Sequence, residues 1–184
     1  MKHTILWRRL DVPGHDACQL AALDDGWRLS GMAVFSLDGR PCALSYEVNA
    51  DARWSSRGAR VRGWYGTERV EVAIIAAPGG RSLLNGAEQS AVRGCVDIDL
   101  GFTPATNLLQ LRRVALAVGQ AAEVPAAWLT FPELTLERLE QRYRRRAQDT
   151  YDYQAPGVPY EGLLRVTEVG FVTLYPGLWE AEAR

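Results

Sequence analysis

Residues 94–116 read GCVDIDLGFTPATNLLQLRRVAL, placing two aspartates, a polar turn and two adjacent arginines inside otherwise apolar sequence. Side chains alternate across a strand, so Val96, Ile98 and Leu100 share one face, and Cys95, Asp97 and Asp99 the other. Past the turn at 103–107, Leu109, Leu111, Ala115 and Ala117 fall on one side with Arg113. Leu108, Val114, Leu116 and Val118 fall on the opposite side with Arg112. Read this way, 108–118 is a strand apolar on both faces with one arginine on each. The segments VEVAIIAA (70–77) and AAWLTF (126–131) are apolar on both faces too.

An antiparallel sheet usually buries one face and wets the other, so doubly apolar strands need a second cover. That cover is either more sheet, as in a sandwich or closed barrel, or a ligand held in the concave side of a curved sheet. Turn signals cut the chain about every ten residues, the pattern of an antiparallel all-β protein. Asp38-Gly39 between MAVFS and CALSYEV is a two-residue hairpin signal. Pro78-Gly79-Gly80, Asn85-Gly86 and Glu168-Val169-Gly170 punctuate the rest. The expected fold is mostly β, a single strongly curved antiparallel sheet or β-roll (an incomplete barrel) with few short helices. No linker or repeat divides it, and residues 1–184 read as one domain. Segment 132–154 stays open: Leu136, Leu139 and Tyr143 fit a helix, whereas the alternation of Leu139, Gln141 and Tyr143, then Tyr151 and Tyr153, favours a strand-turn-strand.

Burying Asp97 and Asp99 unpaired would cost several kcal/mol each, so arginine partners are expected, in a structural network or around a polar headgroup. The two carboxylates stand about 6–7 Å apart along their strand. In ARVRGWY (59–65), Arg60, Arg62 and Trp64 make a donor-rich aromatic face. Trp27, Trp54, Trp64, Trp128 and Trp179 are core aromatics or stacking platforms for sugar rings and acyl chains. Asn107 and Thr106 belong to the turn, and the hydroxyls of Tyr143, Tyr151 and Tyr153 suit a pocket mouth.

Composition limits the function classes. With Lys+Arg 21 against Asp+Glu 22 in 184 residues, net charge −1, there is no global field to draw nucleic acid. Lys2 is the only lysine; the remaining basic residues are arginine, the planar multidentate donor. Cys18, Cys42 and Cys95 form no CxxC pair, so neither a zinc site nor a disulfide framework is expected, and no cofactor. The start lacks a signal-peptide pattern and no run of apolar residues is long enough for a membrane span, which points to a reduced cytoplasmic protein. Oligomeric state is not legible. His3 and His15, the only histidines, sit outside any catalytic pattern, and GxSxG, HExxH and Walker-type loops are missing. Asp97 and Asp99 project the same way, a poor arrangement for glycoside hydrolysis, which sets its two carboxylates on opposite sides of the bond. A hydrolase using one of them is the remaining catalytic alternative.

GCVDIDL…TPATN…LRR, together with DDGWRLSG, FPEL, QRYRRR…YDY and GFVTLYPGLW, resembles a bacterial family labelled "putative glycolipid-binding", formerly a domain of unknown function. The resemblance spans nearly the whole chain, and its most specific part is 94–113. It implies a curved antiparallel sheet similar in shape to the bacterial lipoprotein carriers, and an amphipathic or glycolipid ligand. It carries over no catalytic residue. The matching polar positions are Asp97, Asp99, Thr106, Asn107, Arg112, Arg113, Tyr143, Tyr151 and Tyr153. Gln110 departs from the pattern, standing where a proline is expected, which alters the strand start locally. The function expected is non-catalytic binding of an amphipathic molecule in the concave cavity. A structural or protein-interaction domain with a solid core is the alternative.

Overall fold

Across residues 2–183, which the computed structural model describes, the chain first runs as a long meander. Its strands are β1 (Lys2–Arg9), β2 (Gly14–Leu23), β3 (Gly26–Leu37), β4 (Arg40–Asp51), β5 (Ser56–Tyr65), β6 (Glu68–Ala77), β7 (Arg81–Leu84) and β8 (Ala87–Glu88). After a 3-10 turn at Ser90–Val92 come β9 (Asp97–Leu100), the helix α1 (Asn107–Val114), β10 (Ala121–Glu123), β11 (Ala126–Leu129) and β12 (Leu136–Leu139). A second meander follows: β13 (Arg142–Ala147), β14 (Thr150–Ala155), β15 (Tyr160–Val166), β16 (Val172–Tyr175) and β17 (Trp179–Ala183). Asp38 and Gly39 both take positive φ, 51° and 72°, the conformation that a tight β3–β4 hairpin demands.

The two meanders join where β17 pairs with β1, giving one antiparallel sheet in the order β10-β13-β14-β15-β16-β17-β1-β2-β3-β4-β5-β6-β7-β8. Its end strands β10 and β8 do not pair, so the sheet is curved without closing into a barrel. β9, β11 and β12 form a separate small sheet, with β11 central, antiparallel to β12 and parallel to β9. Within segment 132–154 the regular elements are the strands β12, β13 and β14, the last two forming the hairpin, and no helix forms there.

The reading of 108–118 as a doubly apolar strand is overturned. Residues 107–114 are helix α1, ended by Ala115 in the left-handed region at φ 45°. A short run that is apolar on all sides carries no period that separates a buried helix from a buried strand. Asn107 to Leu111 are buried in succession, as in a helix enclosed on all sides. The consequence is large. The cover for the concave face is supplied by the chain itself: Ile98, Leu100, Phe102, Leu108, Leu109 and Leu129 fill it. They pack against Trp7, Leu20, Leu29, Leu44, Val61 and Val72 from β1 to β6. Each of these leucines stabilises the fold by roughly 1.5–3 kcal/mol on burial. Phe131 stands edge-on to Phe35, Tyr65 and Phe102.

A smaller core lies under β13–β16, where Leu111, Leu116, Tyr143, Tyr151, Leu164 and Val172 meet. Trp7, fully buried, ties the two together by donating its indole N–H to the Val172 carbonyl at 2.6 Å.

Candidate functional site

β9 carries Asp97 and Asp99 towards α1 and the second meander, and the two carboxylates meet different partners. Arg113, on the last turn of α1, clamps Asp97 through two nitrogens, with Nε at 2.9 Å. Asp97 is sealed from solvent, and its hydrogen bond is the main reason that the Arg113 guanidinium holds its proton still more firmly than usual. Asp99 has no arginine. Gln110 and Gln141 donate their amide N–H groups to its Oδ2, at 3.0 and 3.4 Å. Burial pushes the Asp99 carboxyl up to about 6, and the two amide hydrogen bonds hold that rise in check.

Tyr143, fully buried, is the hub behind this pair. Its hydroxyl accepts from Asn107 Nδ2 at 2.7 Å and lies 2.6 Å from Gln110 Oε1 and 2.9 Å from Gln141 Oε1. One phenolic proton serves one of the two acceptors at a time. Burial raises the Tyr143 phenol well above its ordinary range, so it stays neutral.

A third buried carboxylate was not anticipated. Asp16 on β2 accepts from the Tyr46 hydroxyl at 3.0 Å and from the Thr103 hydroxyl. Burial lifts Asp16 to about 6, while the Thr103 and Tyr46 hydroxyls pull the other way. Tyr46 reaches Asp16 by lying across Gly31, where a Cβ would come within 2.3 Å of its hydroxyl. The only signal in the sequence was a polar residue at an inward position between His15 and Ala17.

Asp99, Asn107 and Thr103 form the polar side of a cavity of about 310 Å³. Trp128, Tyr153, Tyr160 and Tyr175 supply aromatic walls, and Leu139, Val158 and Leu178 add aliphatic surface. Tyr160 lies 5.1 Å from Tyr175 and 5.9 Å from Tyr153, ring centre to ring centre, each at an angle, while its hydroxyl donates to the Pro176 carbonyl at 2.7 Å. Gly101 borders Trp128 so closely that a Cβ would sit 2.6 Å from the indole nitrogen. The volume is at the lower end of ligand pockets, roughly 300–1,000 Å³, and apolar walls with a few convergent polar groups are their usual make-up.

Of the residues singled out from sequence, Asp99, Asn107 and Tyr153 line this cavity. Asp97, Arg113 and Tyr143 stand behind it. The other expected ligand contacts do not reach it. Arg60, Arg62 and Trp64 point outward from β5, opposite the buried Ala59 and Val61. Arg112 is exposed and stacks over Trp54 at 5.0 Å. Tyr151 is buried in the smaller core under Arg145. Trp128 and Trp179, which the sequence offers as core aromatics or stacking platforms, also line the cavity, whereas Tyr160, Tyr175 and Gln141 were missed, because nothing in their local sequence shows that distant strands converge. Gln110, set aside as a local departure from a family pattern, is a direct partner of Asp99. His3 and His15 lie on β1 and β2, and neither lines the cavity. Among the described residues no three His, Cys, Asp or Glu side chains gather as for a metal ion, and no helix is long and apolar enough to cross a membrane.

A family model described as "Putative glycolipid-binding" matches residues 4–181. The chain belongs to this family. A solved structure of a DUF1089 family protein from Pseudomonas aeruginosa is similar along most of its length, with 31% identity, a TM-score of 0.78, and 88% of this chain and 89% of that one covered. DUF1089 is the former name of the glycolipid-binding family. No curated protein matches the chain. The family name suggests glycolipid binding, and the solved relative has no known function.

Proposed function

We propose that this protein binds an amphipathic, glycolipid-like molecule without chemical conversion, taking the polar head into the Asp99 cavity. The observation that carries this reading is the meeting of a buried carboxylate, Asn107 and Thr103 with the faces of Trp128, Tyr160 and Tyr175 in one cavity. Aromatic faces pack on the C–H faces of sugars, and a carboxylate or amide accepts from ring hydroxyls. The helix and small sheet occupy the concave side of the large sheet, so the apolar chain of the ligand rests at the mouth, along Val158, Leu139 and Leu178. This differs from a carrier whose whole concavity holds the lipid.

Titration of the purified protein with octyl β-glucoside, followed by tryptophan fluorescence and native mass spectrometry, tests the reading. Saturable binding is expected, weakened about tenfold or more in Trp128→Ala, whose stacking face is gone. No saturable response to octyl β-glucoside, and no lipid extracted from the purified protein, overturns it. A structural or protein-interaction domain is the second reading, favoured by the filled concave face. It gains if truncations in the network alter stability alone.

A further inference from the structure

We propose that the Asp99 cavity selects a head carrying a positively charged amine, either an amino-sugar or a simple alkylammonium. The inference deepens the binding reading above and rests on it.

Three observations carry it. The first is the charge inventory: Asp99 is the one formally charged side chain among the cavity's lining residues. Arg113 is held by Asp97, Arg112 lies over Trp54, and Arg9, on the ring of the wall residue Trp179, pairs with Asp11 through Nε and Nη2 and keeps only Nη1 unpaired. No cation is among the lining residues to hold a phosphate or sulfate, and the carboxylate there repels one.

The second is the geometry at the carboxylate. Both glutamine amides converge on Oδ2, so neither is spent on Oδ1. An ammonium group with three donors can take that oxygen and lie against the aromatic rings. A cation enclosed by Trp and Tyr faces and one carboxylate is held by the ring quadrupoles as well as by charge. Trp128, Tyr153, Tyr160 and Tyr175 provide those faces.

The third is that the protein leaves Asp99 electrostatically unbalanced. The groups facing it are Gln110, Gln141, the Thr106 hydroxyl and the phenols of Tyr143, Tyr153 and Tyr175, none of them charged, while the neighbouring Asp97 is already neutralised by Arg113. Asp16 lies behind Thr103 and adds only a further carboxylate near the cavity wall. A buried charge without a counter-charge is strongly disfavoured, and an amine ligand supplies the one that is missing. The elevated Asp99 titration is the expected mark of that imbalance.

The test uses four ligands with one tail: octyl β-glucoside, octyl 2-amino-2-deoxy-β-glucoside, octylammonium and octyl phosphate, each titrated calorimetrically against the full chain. The aminoglucoside is expected to bind about tenfold or more tightly than the glucoside, and octyl phosphate not at all. Octylammonium binding as tightly as the aminoglucoside assigns the site to a plain ammonium, and weaker binding assigns it to an amino-sugar. Asp99→Asn should abolish the preference for amines, lowering aminoglucoside affinity far more than glucoside affinity, so that the two bind alike. For wild type, octylammonium affinity should fall from about pH 7.5 to about pH 5 by more than glucoside affinity does, a readout independent of any variant's folding. If the glucoside binds as well as the aminoglucoside, or octyl phosphate binds, the amine inference is overturned and the binding reading stands. If no ligand binds, the binding reading itself falls.

Discussion

The two halves of the large sheet use their inner faces differently. From β1 to β6 the inner face is largely aliphatic and is covered by the chain's own helix and small sheet, with Leu44, Val48 and Val61 at 0% exposure. From β13 to β16 the inner face presents tyrosines, and beneath them lie a hydrogen-bonded glutamine–tyrosine–aspartate network and a cavity. The first half behaves as a close-packed interior, where any volume change is felt. The second maintains polar groups in low dielectric, where satisfied networks specify one arrangement and an orphaned member is costly. The seam between them is α1, whose Leu108 and Leu109 enter one core and whose Leu111 enters the other. Aliphatic packing is thus concentrated on one side and buried polar groups on the other.

Breaking the seam should have the largest effect. Arg113→Ala leaves Asp97 buried without its counter-charge, and denaturant titration should show a loss of about 3–5 kcal/mol. Leu44→Ala probes the aliphatic half alone. It should lower stability by about 2–5 kcal/mol while leaving any alkyl glycoside affinity unchanged; a change in affinity would contradict the division of labour.

The acid side sharpens the comparison through pH. Asp99 and Asp16 release their protons near 6 in the folded state, above the ordinary aspartate value of 3.8, so the folded protein binds those protons more tightly than the unfolded chain. Their stabilising contribution is complete below about pH 4 and is lost as pH rises through about 6. Removing the charge in Asp99→Asn should therefore raise stability near pH 7 relative to wild type, by on the order of 2–3 kcal/mol, with the difference closing towards pH 4. Urea midpoints across that range measure it, and a pH-independent difference would contradict the assignment.

Tyr143→Phe removes the hydroxyl shared by Asn107, Gln110 and Gln141, which should cost about 1–3 kcal/mol and loosen the hold on Asp99. The smallest effect belongs to the outer face. Arg62→Ala and Trp64→Ala, both on exposed positions of β5, should change stability by no more than about 0.5 kcal/mol and leave ligand binding untouched.

Local and periodic features are legible along the chain. The Asp38-Gly39 hairpin and the alternation in β5 are read directly, and the alternation through Tyr143, Tyr151 and Tyr153 favours the hairpin of β13 and β14 over a helix, because turn chemistry and strand period are properties of neighbouring residues. The residue pattern also marks Asp97 and Asp99 as needing partners, since buried charge is costly wherever it sits. The identity of those partners follows from the way the chain folds. Asp97 takes an arginine from the helix, and Asp99 takes amides from α1 and from the segment before β13, 11 and 42 residues away in sequence. The same holds for 107–114, where eight residues carry too few turns to separate helix from strand, and the need to fill a curved sheet settles the choice. The cavity is legible least of all. Its walls come from Gly101, Trp128, Tyr160 and Tyr175, and their convergence follows from the curvature of the sheet rather than from any spacing along the chain.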